Sequence, residues 1–133
     1  AAPDGGFYFV FRTGAPALRK YDERGELLFE RHVEGPELDA TINGLPTTWP
    51  RRTVDDSQTL PFIPPTVTTA ALDRHGNLWV ALTVPYVYVY DASGEKIRTV
   101  RLRGAGPLQP SSLSFPDATR LLVTPGCYEF TVW

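Results

Sequence analysis

The sequence has no methionine, one cysteine (Cys127), two histidines (His32 and His75) and two lysines beside eleven arginines. A single cysteine forbids an internal disulfide and cannot build a thiolate metal cluster. Without methionine, residue 1 is not a native initiator. Ala1-Ala2-Pro3 reads either as a mature end left by a signal peptidase or as the start of a cleaved chain, so exported, periplasmic and cytoplasmic locations stay open. No apolar run approaches the roughly 20 residues that span a bilayer, which excludes a membrane span. A formal net charge of −2 lacks the basic excess of a nucleic-acid binder.

What is present points to strands. The 133 residues are 42% hydrophobic and 21% charged, enough apolar matter for the core of one domain. Eleven glycines and thirteen prolines, spread along the chain, punctuate it too often for a helix bundle. Phe7-Tyr8-Phe9-Val10-Phe11 reads as a buried strand. Four hairpins follow, at 17–33, 66–83, 86–102 and 113–124, the first three turning through Asp22-Glu23-Arg24-Gly25, Asp73-Arg74-His75-Gly76 and Asp91-Ala92-Ser93-Gly94. Residues 127–133 close the chain as one more strand.

The hairpins repeat. Tyr21-Asp22-x-x-Gly25-Glu26 recurs 69 residues later as Tyr90-Asp91-x-x-Gly94-Glu95, and the segment 72–80 aligns with 115–123 at a spacing of 43. A spacing near 43 is that of a four-stranded propeller blade. The longer spacing places an insert at 36–65, a proline-rich stretch expected as a long, unpatterned loop. The expected fold is therefore all-β, with antiparallel four-stranded propeller-type blades, about three of them, in a single partial-propeller unit. Residues 6–35 would form the last three strands of one blade, 66–104 a complete blade, and 111–133 the first three strands of a third.

These residues carry a family resemblance. Ala71-Leu72-Asp73-Arg74-His75-Gly76-Asn77-Leu78-Trp79-Val80-Ala81 resembles the D-x-x-G-N-L-W-V-A strand pair of NHL-type and gluconolactonase-like six-bladed β-propellers. Val89-Tyr90-Asp91-Ala92-Ser93-Gly94-Glu95-Lys96-Ile97 is similar to the following V-Y-D-x-x-G-x-x-I piece. The resemblance covers 66–130 well, 15–35 moderately and the insert not at all. It is specific for a blade and not for an activity. A six-bladed ring needs roughly 260 residues at this repeat length, about twice this chain. The expectation is a non-enzymatic binding or scaffold module, completed by self-association (most simply a twofold pair of half-propellers) or by a partner protein. A divalent-metal lactonase or hydrolase, and a fragment of a larger exported propeller, are the alternatives.

No residue pattern supports a catalytic, metal or cofactor assignment. Glu34-Gly35-Pro36 echoes the strand start that bears the metal-binding glutamate in gluconolactonase-like proteins, but no channel Asn or Asp can be placed beside it: Asn43 lies in the insert, Asn77 in a turn and Asp117 in a loop. His75 occupies a turn, and no serine sits in a nucleophile-elbow context. Cys127 reads as a small buried side chain. The binding candidates are Trp49, Arg51 and Arg52 of the insert, where an aromatic meets two guanidinium groups, and Tyr86 and Tyr88. Tyr86, Tyr88 and Tyr90 share one strand face, which suits packing between blades or a stacking surface for a sugar or base. No small-molecule ligand follows from them.

Overall fold

A computed structural model describes residues 1–13, 15–43, 51–55, 58–61, 65–104, 106, 109–126 and 128–132, with side chains left aside at 40–43 and 51–61. The strands are β1 (Phe7–Phe11), β2 (Ala17–Tyr21), β3 (Leu27–His32), β4 (Arg51–Asp55), β5 (Gln58–Pro61), β6 (Val67–Leu72), β7 (Leu78–Leu82), β8 (Val87–Tyr90), β9 (Lys96–Val100), β10 (Ser112–Ser114), β11 (Arg120–Thr124) and β12 (Tyr128–Thr131). One helix, α1 (Pro36–Asn43), joins them. They form antiparallel meanders in the orders β1-β2-β3, β6-β7-β8-β9 and β10-β11-β12, and β4 pairs with β5 alone. The protein is all-β, with three antiparallel sheets of three to four strands, consistent with successive propeller-type blades.

The turns explain why these hairpins form. At Asp22, Asp73 and Asp91 the carboxylate Oδ1 accepts the backbone N–H of residues i+2 and i+4 at 2.8–3.0 Å. The glycine at i+3 takes a left-handed φ of 83°, 85° and 87° at Gly25, Gly76 and Gly94. Aspartate satisfies the turn's donors locally, and glycine reaches the positive φ that a side chain resists. Asp117 begins a shorter variant, in which Oδ1 accepts the backbone N–H of residue i+2, Thr119, at 2.8 Å but not that of i+4.

Period-two alternation then builds two apolar layers. From the four-stranded sheet, Leu78, Val80, Leu82, Tyr88 and Tyr90 face Leu18 and Val33 of the first sheet, together with Leu38 of α1. On the opposite face Trp79, Ala81, Val87 and Val89 meet Leu113, Phe115, Leu121 and Val123 of the third. The middle sheet is thus covered on both sides, and every residue of β7 and β8 is buried. At about 1.5–3 kcal/mol per buried large aliphatic side chain, these layers outweigh the turn hydrogen bonds.

Two arginines tie the sheets together. The Arg12 carbonyl accepts the N–H groups of Thr66 and Val67, while its Nε donates to the Val67 carbonyl at 3.0 Å. In the next layer Arg74 donates to the carbonyls of Phe115 (3.1 Å) and Pro116 (2.9 Å).

Two expectations need correction. The stretch 36–65 is not an unpatterned loop throughout, since it opens with α1 and contains the β4–β5 hairpin. Pro36 at the first helical position, with Glu37 and Asp39 in the first turn, favours a helix start, and Leu38 anchors it in the core. The second correction concerns β1. It is not buried: Tyr8 and Val10 pack inward, but Phe9 and Phe11 on the other face are 57% and 41% exposed.

Candidate functional site

Among the described residues, four of the six exposed large apolar side chains, Phe9, Phe11, Leu27 and Leu28, lie on the β1–β3 sheet. Period-two alternation puts Phe7, Phe9 and Phe11 on its outward face, and the register sets Tyr21 opposite Phe7 and Arg19 opposite Phe9. The Phe7 ring stacks on Tyr21 at 5.2 Å, and Phe9 meets both edge-on at 5.9 and 5.8 Å. The Arg19 guanidinium lies 4.9 Å from the centre of the Phe11 ring and pairs with the Glu30 carboxylate. Leu27 and Leu28, exposed at the bulge opposite Tyr21, extend the apolar surface.

The internal repeat gives this face its meaning. Phe7 and Phe9 stand opposite Tyr21 and Arg19 as Leu78 and Val80 stand opposite Tyr90 and Tyr88. In the middle sheet those four positions are buried against a neighbouring sheet, Val80 and Tyr88 completely. The same face of the first sheet has no such cover among the described residues. An exposed, contiguous aromatic cluster of this kind marks an interaction surface.

The opposite end of the stack differs in kind. On the third sheet the residues alternating with Leu113, Leu121 and Val123 are Ser112, Ser114, Arg120, Leu122 and Thr124, all exposed. The Ser112 and Thr124 hydroxyls hydrogen-bond to each other at 2.7 Å. Hydroxyl and charged groups keep that face hydrated, with Leu122 as its one exposed large apolar side chain among the described residues.

The expected binding residues fall only partly within the described structure. Trp49 lies outside the described residues. Arg51 and Arg52 begin β4, opposite Pro61 and Leu60, with their side chains outside the description. Tyr86 is half-buried, with the Arg101 guanidinium 5.7 Å from its ring centre. Tyr88 is fully buried, so its ring offers no stacking surface for a sugar or base. Its hydroxyl donates to Glu37 Oε2 at 2.8 Å, and the Lys96 ammonium lies 4.1 Å from its ring centre. Burial first, and then the bond to Glu37, push the Tyr88 hydroxyl well above its ordinary pKa. The Glu37 carboxyl is held below its own by its backbone N–H and by Tyr88. Tyr90 is pushed up to about 12 by burial and by the charge of Glu34. Tyr88 thus fastens α1 to the middle sheet through Glu37.

The possible metal ligands are likewise engaged elsewhere or dispersed. Asn77 donates its side-chain N–H to Asp73 at 3.1 Å, and Asp117 is bound by Thr119 and Arg120. Glu34 lies just beyond β3, and the side chain of Asn43 is outside the description. Among the described residues no three His, Cys, Asp or Glu side chains gather as a cation site. None of the described helices is long and apolar enough to cross a membrane.

Sequence reading missed the aromatic face because Phe7–Phe11 is apolar at every position, and periodicity alone cannot say which side of such a strand has a neighbour. The signal that does distinguish the sides is across the ladder, where Arg19 and Glu30 occupy the outward face of β2 and β3. Comparison with protein-family models, with curated proteins and with solved structures gave no match to this chain.

Proposed function

We propose that the protein is a non-enzymatic, propeller-type binding or scaffold module whose β1–β3 face docks a second copy of the same chain. The aromatic cluster of exposed Phe9 and Phe11 with half-buried Phe7 and Tyr21, at positions whose repeat equivalents are buried under a neighbouring sheet, carries this reading. The resemblance of 66–130 to NHL-type and gluconolactonase-like blades supports the same architecture.

Charge favours a copy over an unrelated surface. Arg19 and Glu30 lie side by side on the face, so a twofold axis brings the arginine of each copy toward the glutamate of the other. The polar β10–β12 face offers the aromatic cluster no comparable apolar complement. Three strands of five residues measure about 14 by 17 Å in plan, smaller than a standard interface, so the association is reversible and concentration-dependent.

Sedimentation over a concentration series tests the reading. Mass should rise toward the dimer at roughly millimolar protein, the scale of a small contact, and Phe9→Ser/Phe11→Ser should stay monomeric while remaining folded. A wild-type protein that is monomeric throughout, or a double variant that dimerises equally, overturns it.

A further inference from the structure

The glycine-ended turn recurs at residues 2–6 with its carboxylate in a different place. The turn closes by Ala2 N–H to Gly6 O at 2.7 Å and Gly5 N–H to Ala2 O at 3.0 Å, as the turn between β6 and β7 closes by Asp73 N–H to Asn77 O and Gly76 N–H to Asp73 O. Gly5 takes the matching left-handed φ of 87°. At Asp22, Asp73 and Asp91 the aspartate opens the turn, three residues before its glycine. Here Ala2 opens it, and the carboxylate belongs to Asp4, directly before Gly5. Asp4 Oδ1 accepts the Gly6 N–H at 3.0 Å, and Oδ2 accepts a proton of the Lys20 ammonium at 2.8 Å. Lys20 is buried, with its ammonium 5.6 Å from the centre of the Tyr8 ring. With Asp4 it lines a cavity of about 130 Å³ whose other wall is His75, Gly76 and Ala92 of the middle sheet's turns.

An aspartyl-glycine pair is chemically labile. The glycine nitrogen attacks the aspartyl Cγ, a C–N bond forms, and a carboxyl oxygen leaves as water with the nitrogen's proton, closing a cyclic imide. Water reopens the imide at either carbonyl, which restores the aspartate or leaves the chain linked through Cγ as β-aspartate, with no net change in atoms. Glycine puts no side chain in the path of the attack, and the protonated carboxyl reacts fastest because water is its leaving group. We infer that Asp4-Gly5 is a modification site of this chain, converting to β-aspartate at the rate at which Lys20 releases the carboxylate. The bonds from Lys20 and then from the Gly6 N–H hold Asp4 ionised, below its ordinary pKa, while the Gly5 N–H is engaged by Ala2. The Asp4 side chain is 56% exposed, so water reaches the imide once it forms. Conversion also prevents its own reversal. The β-linkage puts a methylene into the backbone and moves the carboxylate onto Cα, so buried Lys20 loses its partner and weakens the seam between the first and middle sheets. The inference stands apart from the docking reading, since neither the aromatic face nor a second copy enters it.

The test incubates wild type, Lys20→Met, Tyr88→Phe and a synthetic peptide of residues 1–10 in mildly acid buffer at physiological temperature. Peptide mapping with electron-transfer fragmentation separates β- from α-aspartate at residue 4. Wild type should convert at least about tenfold more slowly than the peptide, and Lys20→Met about tenfold faster than wild type, since the released population sets the rate. Tyr88→Phe, which loosens α1 but leaves Asp4 and Lys20 in place, should match wild type. Converted wild type, isolated by chromatography, should unfold at lower urea than the unconverted protein. Conversion of wild type as fast as the peptide, no acceleration in Lys20→Met, or equal acceleration in Tyr88→Phe overturns the inference. Where Lys20→Met fails to fold, urea-unfolded wild type replaces it, and a rate no faster than that of the folded protein overturns the inference.

Discussion

Asp73 differs from its two repeat equivalents, and replacing it should show by how much. All three aspartates cap a turn through Oδ1, but only Asp73 is buried and uses Oδ2 inside the protein. That second oxygen accepts the Trp79 indole N–H at 3.0 Å and the Asn77 side-chain N–H at 3.1 Å. Burial alone would raise the Asp73 pKa, yet the bonds from Trp79, Asn77 and His75 outweigh it and hold the carboxyl below its ordinary value. In Asp73→Ala the turn amides regain water, whereas the Trp79 N–H stays buried between two sheets with nothing to bind. A lost net hydrogen bond costs about 1 kcal/mol and an orphaned buried donor about 1–3, so the variant should lose roughly 2–4 kcal/mol. At typical urea slopes this moves the unfolding midpoint down by about 1–2 M. Asp91→Ala, which removes the same Oδ1 cap from an exposed turn, should shift it clearly less. Asp73→Asn should fall between wild type and Asp73→Ala, since its one carbonyl oxygen can still accept from the turn amides while its NH2 group faces the indole donor without bonding it.

The pH dependence has a definite sign. A carboxyl with a depressed folded pKa stabilises fully above its unfolded value and loses that contribution as pH falls through the folded one. The wild type should therefore weaken on the acid side, and Asp73→Ala should flatten that limb. Urea melts read by tryptophan emission at a series of pH values provide the test. Equal midpoints for Asp73→Ala and Asp91→Ala, or an unchanged acid limb, would refute the reasoning.

Two further perturbations probe the contacts between sheets. A Cβ on Gly94 would sit 2.7 Å from the Phe29 ring, whereas one on Gly25 meets open space, although both glycines hold a left-handed φ. Gly25→Ala should cost about 1–2 kcal/mol from backbone strain alone, and Gly94→Ala visibly more, by thermal denaturation. Tyr88→Phe removes the bond that fastens Glu37 to the middle sheet and should cost about 1–2 kcal/mol near neutral pH. Because the Glu37 carboxyl is held low in the folded state, the gap between Tyr88→Phe and wild type should shrink as pH falls through that lowered pKa, in urea melts at successive pH values.

Legibility in the sequence follows how local each interaction is. The D-x-x-G turns are satisfied within five residues, so the hairpins they join lie close to where the sequence places them. The repeat at 69 residues also locates corresponding faces, because turn and strand recur together. Interactions at a distance leave no such trace. The Tyr88 hydroxyl reaches Glu37 across 51 residues, and Arg74 reaches carbonyls 41 and 42 residues away. The residues at either end of these bonds look like an ordinary strand aromatic, a helix acid and a turn cation. The candidate site is harder still, since Phe7–Phe11 is a surface only because no sheet covers it among the described residues.

The two ends of the stack also bear on how copies can meet. Ring closure by a twofold pair, which the repeat count suggests, lays the β1–β3 face of one copy on the β10–β12 face of the other. It would set Phe7, Phe9 and Phe11 against Ser112, Ser114 and Thr124, and desolvate hydroxyl groups under rings that offer them no hydrogen bond. Joining like ends instead buries aromatic surface against aromatic surface and leaves the hydroxyl face in water.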